Sequence, residues 1–215
     1  MAPIRVALIG LSASATTSWA SRAHLPYLLS PRGRQKYLIV ALCNSSVEAA
    51  KKAIAVFGLP SETRAYGNPD DLAGDENIDL VVCSTRVDRH YETILPSLAA
   101  GKSIFCEWPL AQDIEHVRAL VDIARQKELK TAIGTQGRLA PVTLKIRELL
   151  ERGTIGQILS SHLRASGGLN GRDRVPDSLS YFLDRSVGGS VYTIGFGHRT
   201  HIPPFLPLLS LYGSC

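Results

Sequence analysis

Short apolar runs recur along the first 136 residues of this 215-residue chain, and the stretches between them have helical character. "IRVALIG" (4–10), "YLIVALC" (37–43), "DLVVCST" (79–85), "SIFCEW" (103–108) and "TAIGTQ" (131–136) are apolar at nearly every residue. That is the pattern of strands covered on both faces. Between them, "SVEAAKKAIAVFG" (46–58) is alanine-rich with a glycine at its end. "DIEHVRALVDIARQKEL" (113–129) opens on a capping Asp113 and sets Ile114, Val117, Val121 and Ala124 on one face. Strands that alternate with helices in this way are joined by crossovers. Residues 1–136 are therefore expected to form an α/β domain with a doubly wound parallel sheet of the dinucleotide-binding, or Rossmann, type.

Ligands of such sheets lie in the crevice at the carboxyl ends of the strands. There the first strand runs straight into "GLSASATTSWASRAHLPYLL". Of the three glycines of the dinucleotide fingerprint only Gly10 is present, while Leu11 follows it, Ser12 and Ala13 are small, and Ser14, Thr16 and Thr17 add hydroxyls. The loop alone fits a pyrophosphate cradle and an ordinary strand-to-helix turn equally well. At the end of the second strand stand Asn44, Ser45 and Ser46, where an NAD-selective sheet usually places Asp or Glu. No carboxylate there repels a 2′-phosphate, and two hydroxyls with a helix N-terminus can hydrogen-bond one. NADP is thus expected to bind at least as well as NAD. Arg32, Arg34 and Lys36 precede the second strand, so they belong to the opposite end of the sheet and read as solvated surface.

Composition narrows the class. With 45% hydrophobic and 20% charged residues the chain can bury a core, and a net charge of +5 points to no direct nucleic-acid partner. Cys43, Cys83, Cys106 and Cys215 show neither paired nor metal-ligand spacing, which reads as reduced, intracellular thiols and no metal site. His198 and His201 stand three apart without a third ligand. No signal-peptide pattern and no membrane-length apolar run is present, so a cytoplasmic protein is expected, with the nucleus open to a regulator.

Residues 137–215 read differently. "PVTLKIRELLERGTIG" (141–156) is a helix with Pro141 at its start and Gly153 past its end, and "QILSSHLRAS" (157–166) and "GGSVYTIGFG" (188–197) are strand candidates. The stretch "HIPPFLPLLSLYGSC" interrupts its leucines with prolines. The expectation is an α+β substrate and dimerisation domain, truncated, with a divergent tail. A partial sheet of that kind leaves edges and an apolar face to cover, and a homodimer would cover them.

Taken together these residues resemble the Gfo/Idh/MocA family, the glucose–fructose oxidoreductases and inositol dehydrogenases. "AAGKSIFCEWPLAQ" (99–112) is similar to the family's Ala-Gly-Lys…Glu-Lys-Pro-Leu signature, "STRVDRHYE" (84–92) to its fourth-strand loop, and "RGTIGQI" (152–158) to the entry of its substrate domain. Trp19, His24, Leu25 and Pro26, the Glu107-Trp108 pair, and Gln136, Gly137 and Arg138 resemble the fungal galactose-regulon repressor branch. The resemblance implies a nicotinamide site bounded by Gly10, Leu11, Ser12, Asn44, Ser45, Ser84, Thr85, Arg86, His90, Glu107 and Trp108.

The resemblance also marks a departure. The family's lysine of Glu-Lys-Pro holds the substrate hydroxyl and stabilises the charge that develops on it, and here that position is Trp108. Tryptophan supplies a ring and one neutral N–H in place of a charge with three donors. The family's second catalytic segment aligns Thr193 or Ile194 with its Asp, leaving His198 as the candidate base. Three readings follow: a cofactor-binding sensor or regulator without ordinary hydride transfer, an NADP-dependent sugar or polyol dehydrogenase, and a non-redox lyase, isomerase or cyclase. Partners would be a nicotinamide dinucleotide and either a small-molecule substrate or a protein.

Overall fold

The apolar runs assemble into one six-stranded sheet in which every pairing is parallel. The computed structural model describes residues 2–15, 18–160 and 174–189. Its strands are β1 (Ile4–Ile9), β2 (Tyr37–Cys43), β3 (Arg64–Tyr66), β4 (Leu80–Cys83), β5 (Ser103–Glu107) and β6 (Thr131–Gly134). They lie in the order β3-β2-β1-β4-β5-β6. The chain therefore winds outward from β1 in one direction and then crosses to β4 to wind outward in the other. The switch point between β1 and β4 is where a parallel sheet opens its ligand crevice.

Alternation along each strand divides the core into two layers. On one face, Ala7, Ile9, Val81, Cys83 and Cys106 pack under Ile94 and Leu98 of α5 (Val87–Ala99) and Leu120 of α6 (Ile114–Gln126). On the other, Val6, Leu8, Leu42 and Val82 meet Leu25 and Leu28 of α1 (Leu25–Leu29) and Ala50 and Ala53 of α3 (Val47–Val56). Leu8 is essentially inaccessible, so truncating it to Ala would cost about 2–5 kcal/mol. Two shorter helices, α2 (Pro31–Arg34) and α4 (Pro69–Ala73), precede β2 and follow β3. Caps fix the helix starts: Ser46 Oγ accepts the Ala49 N–H at 3.1 Å, and Asp113 Oδ1 accepts that of His116 at 2.9 Å.

Two expectations need correction. The apolar stripe of α6 runs through Val117, Leu120 and Ala124, whereas Ile114 is 53% exposed because the first turn lies beyond the part of the helix that the sheet covers. Gln157–Ser160, the start of one strand candidate, are irregular, and no described strand lies beside them to supply a ladder; residues 161–166 fall outside the described residues. The second strand candidate is described only at Gly188 and Gly189, which are also irregular.

A second unit begins at Thr135. It opens on a tight turn, Gln136–Leu139, and continues into α7 (Pro141–Glu151), with Pro141 in the first turn and Gly153 beyond the last. Among the described residues, no helix is long and apolar enough to cross a membrane.

Candidate functional site

The tips of β1, β2 and β4 are tied together by backbone hydrogen bonds. Gly10 N–H donates to Cys43 O at 3.1 Å and Ser84 N–H donates to Ile9 O at 3.0 Å. Gly10 adopts φ +92°, and a Cβ there would lie 2.6 Å from the Ser84 carbonyl oxygen. Only glycine meets both conditions. The first loop can therefore turn tightly over the switch point, leaving Ser12 Oγ to accept the Ser14 N–H at 3.2 Å.

Over these tips opens a cavity of about 730 Å³. Gly10, Ser12, Asn44, Ser45 and Thr85 of the expected set line it, together with Ser14. Sequence reasoning missed a second wall made of Gly67, Pro69 and Asp70 beyond β3, and Arg89, Glu92 and Thr93 on α5. Arg89 and Thr93 stand four apart in a helix that starts at the expected loop, so helical periodicity from Thr85 onward could have found them. The Gly67–Asp70 wall could not be seen without β3.

Asn44 holds the loop to the sheet rather than standing free for a ligand. Its Nδ2 donates to Leu11 O at 2.9 Å and to Ala49 O at 3.4 Å. The hydroxyl oxygen of Ser46 is engaged by the Ala49 N–H, so of the two serines only Ser45 lines the cavity. The end of β2 presents no carboxylate, and the acidic residues that line the cavity are Asp70 on α4 and Glu92 on α5.

Three expected residues sit behind the crevice. Leu11 is fully buried. His90 is 1% exposed, with Nδ1 2.7 Å from Pro109 O and Nε2 3.1 Å from Thr85 O, so it links the loops after β4 and β5. Glu107 is buried at the end of β5, with Oε1 2.6 Å from His24 Nε2. Its carboxylate lies over Gly134, where an added Cβ would come within 2.5 Å of Oε2. Next to it the half-buried Trp108 is joined to Pro109 by a cis peptide bond. Arg86 pairs with Asp88 at 3.1 Å just before α5. Thr16, Thr17, Thr193, Ile194 and His198 lie outside the described residues.

Comparison with known proteins agrees with this architecture. Residues 4–135 match the Gfo/Idh/MocA oxidoreductase family, NAD-binding Rossmann fold. The chain belongs to the Gfo/Idh/MocA family. Residues 141–205 match the Gal80p C-terminal domain, which places the chain in the fungal branch of Gfo/Idh/MocA proteins. Dehydrogenase aclE of Aspergillus oryzae is 34% identical over 203 residues, covering 94% of this chain and 54% of that protein. The galactose/lactose metabolism regulatory protein GAL80 of Saccharomyces cerevisiae is 30% identical over 211 residues, covering 95% and 47%. Among solved structures, a super-repressor mutant of Gal80p from Saccharomyces cerevisiae superposes with a TM-score of 0.82 at 31% identity, covering 92% of this chain and 51% of that one. Myo-inositol dehydrogenase from Lactobacillus casei, in complex with NAD(H) and myo-inositol, gives 0.62 at 29% identity over 72% and 43%. The chain spans about half the length of the curated relatives it matches.

Proposed function

We propose that the protein binds NADP or NAD in the cavity above Gly10 and acts as a cofactor-dependent sensor or regulator, without ordinary hydride-transfer turnover. The fit to a dinucleotide rests on the φ +92° turn at Gly10, which keeps a side chain out of the backbone cradle, and on the roughly 730 Å³ of space over the switch point. Gly10 and Ser12 would hold the phosphates, Ser45 the adenosine ribose or its 2′-phosphate, and Thr85 and Trp108 the nicotinamide end. When bound, the group supplies a hydride acceptor or donor. The chain's own residues decide whether a substrate can use it.

The observation that carries the reading is Trp108 in the lysine position of Glu-Lys-Pro. A charge oriented at the reacting oxygen is often among the larger catalytic contributions, and a neutral indole N–H replaces it poorly. The expected loss is roughly two orders of magnitude or more in hydride transfer. A ring at the same point can instead close over a flat nicotinamide, adding about 1 kcal/mol beyond its buried area. The similarity to GAL80 regulatory proteins supports a binding role whose partner is a small molecule or a protein.

A second reading has its own support, because aclE is a dehydrogenase by name and is 34% identical. On that reading the protein is an NADP-dependent oxidoreductase of a sugar or polyol that works without the lysine. Calorimetric titration with both cofactors, followed by reduced-nicotinamide absorbance over a sugar and polyol panel, separates the two. Binding with no absorbance change supports the regulator, and saturable reduction supports the dehydrogenase. Absence of binding at millimolar cofactor would contradict both.

A further inference from the structure

Three side chains from β4, α5 and β5 meet beneath the crevice. Cys83 ends β4, Cys106 is its register partner on β5, and His90 approaches from the first turns of α5. They are 0%, 0% and 1% exposed. One ligand atom from each lies within 4.8 Å of the others.

The histidine ring faces two acceptors. Nδ1 is 2.7 Å from Pro109 O, and Nε2 is 3.1 Å from Thr85 O. A neutral imidazole carries a single N–H, and the shorter contact assigns it to Nδ1. Nε2 then directs a lone pair at a carbonyl oxygen in a buried site, an opposition that a metal ion bound between them would relieve. An Nδ1–H donated to a backbone carbonyl is also the arrangement that presents Nε2 as the ligating nitrogen in metal-bound histidines. The sulfurs are held in place as well: Cys106 Sγ donates to Leu110 O at 3.9 Å. Thr85 and Thr93 place hydroxyl oxygens 3.4 Å from Cys83 Sγ.

We propose that Cys83 Sγ, Cys106 Sγ and His90 Nε2 form a site for one thiophilic divalent ion of the zinc type, with an oxygen of Thr85 as the fourth donor. Two sulfurs and an imidazole select such an ion over magnesium or calcium, which require oxygen ligands. A cavity of about 430 Å³ between α5, α6 and the β5–β6 edge reaches Cys106 and offers the way in. Binding balances simply. The ion is held by thiolates and a neutral imidazole, so whatever protons these ligands carry pass to solvent as it binds. The bound ion would join β4, β5 and α5 directly below Thr85 and Trp108.

Cobalt(II) titration of the reduced full chain, carrying Cys215→Ser so that this thiol does not respond, tests the site. The expected result is a sulfur-to-cobalt charge-transfer band and tetrahedral visible bands that saturate at one equivalent and vanish when zinc is added. Cys106→Ser and His90→Gln, each checked for native circular dichroism, should lose the charge-transfer band at one equivalent. Should either variant fail to fold, the wild-type melting temperature decides, rising with zinc and not with magnesium. No cobalt band at millimolar metal, a band retained in folded Cys106→Ser, or a melting temperature indifferent to zinc would overturn the site.

Discussion

His24 Nε2 lies 2.6 Å from Glu107 Oε1, and the two side chains are only 18% and 10% exposed. The pair fastens the helical turn after the first loop to the end of β5, one residue before Trp108. Phe105 meets the His24 ring edge-on at a centroid distance of 5.3 Å, which limits its rotation. One contact thus couples the turn after the first loop to the end of β5, the two places where the phosphate and nicotinamide ends of the proposed cofactor would lie.

Removing one partner leaves the other buried without its hydrogen bond. His24→Ala is expected to cost about 2–3 kcal/mol of stability and to weaken cofactor binding, since the turn after the first loop and the end of β5 lose their tie. Urea unfolding of the variant checks the first part and calorimetry the second. A stability change below about 0.5 kcal/mol would mean that water replaces His24 without cost.

Gly10→Ala meets two obstacles, the left-handed backbone at φ +92° and the Ser84 carbonyl 2.6 Å from the new Cβ. Together they should destabilise the chain by about 2–3 kcal/mol and reduce NADPH affinity at least about tenfold. Unchanged affinity would place the cofactor away from this loop.

Most of the sheet was legible because β1, β2, β4 and β5, largely buried, read as unbroken apolar runs, and Ser46 and Asp113 marked the helix starts; β6, expected to be covered on both faces, is instead exposed at Thr131, Ala132 and Ile133, as befits an edge strand. β3 was not legible. Arg64, Ala65 and Tyr66 are each only partly buried and pair only with β2, so neither apolar run nor alternation signals them. The cavity wall at Gly67–Asp70 was lost with that strand. At strand ends, sequence position identifies which residues reach the crevice but not where each side chain turns. Gly10, Ser12, Ser45 and Thr85 line the cavity, while Leu11, His90 and Glu107 turn back into the protein. The pairing of His24 with Glu107 joins residues 83 positions apart, which no local pattern encodes.

Acid should unfold the protein through carboxylates at the amino end of the sheet. Hydrogen bonds from Arg5 hold the Asp79 carboxyl below its ordinary 3.8. Burial acts to raise Asp75, but the Asn77 N–H, the Tyr66 hydroxyl and Arg64 outweigh it, and that carboxyl too lies below 3.8. Both folded values lie below the unfolded one. Their contribution is therefore complete above about pH 5 and is lost as pH falls through the folded values. Urea unfolding free energies measured across the acid range should be flat above that point and decline below about pH 4, with a shallower decline in Asp75→Asn together with Asp79→Asn. An identical slope in the double variant would assign the acid limb to other groups.

On the proposed reading, Trp108→Lys would supply the charge of the Glu-Lys-Pro signature but not an aspartate in the second segment, for which Thr193 or Ile194 is the expected counterpart. The variant is expected to bind NADPH and remain without turnover on sugars and polyols in the absorbance assay. Turnover approaching the ordinary enzyme range of about 1–1000 per second would show that the lysine position alone had silenced the protein.

The proposed site holds a nicotinamide dinucleotide without turning it over, and one experiment reads both halves. NADPH is titrated into the wild-type protein while its fluorescence is followed, and a panel of sugar and polyol-derived carbonyl compounds is then added to the saturated complex. The account predicts a saturable fluorescence change followed by a steady NADPH signal. No saturable binding at millimolar NADPH, or oxidation of the bound cofactor at about 1 per second or faster, would contradict it.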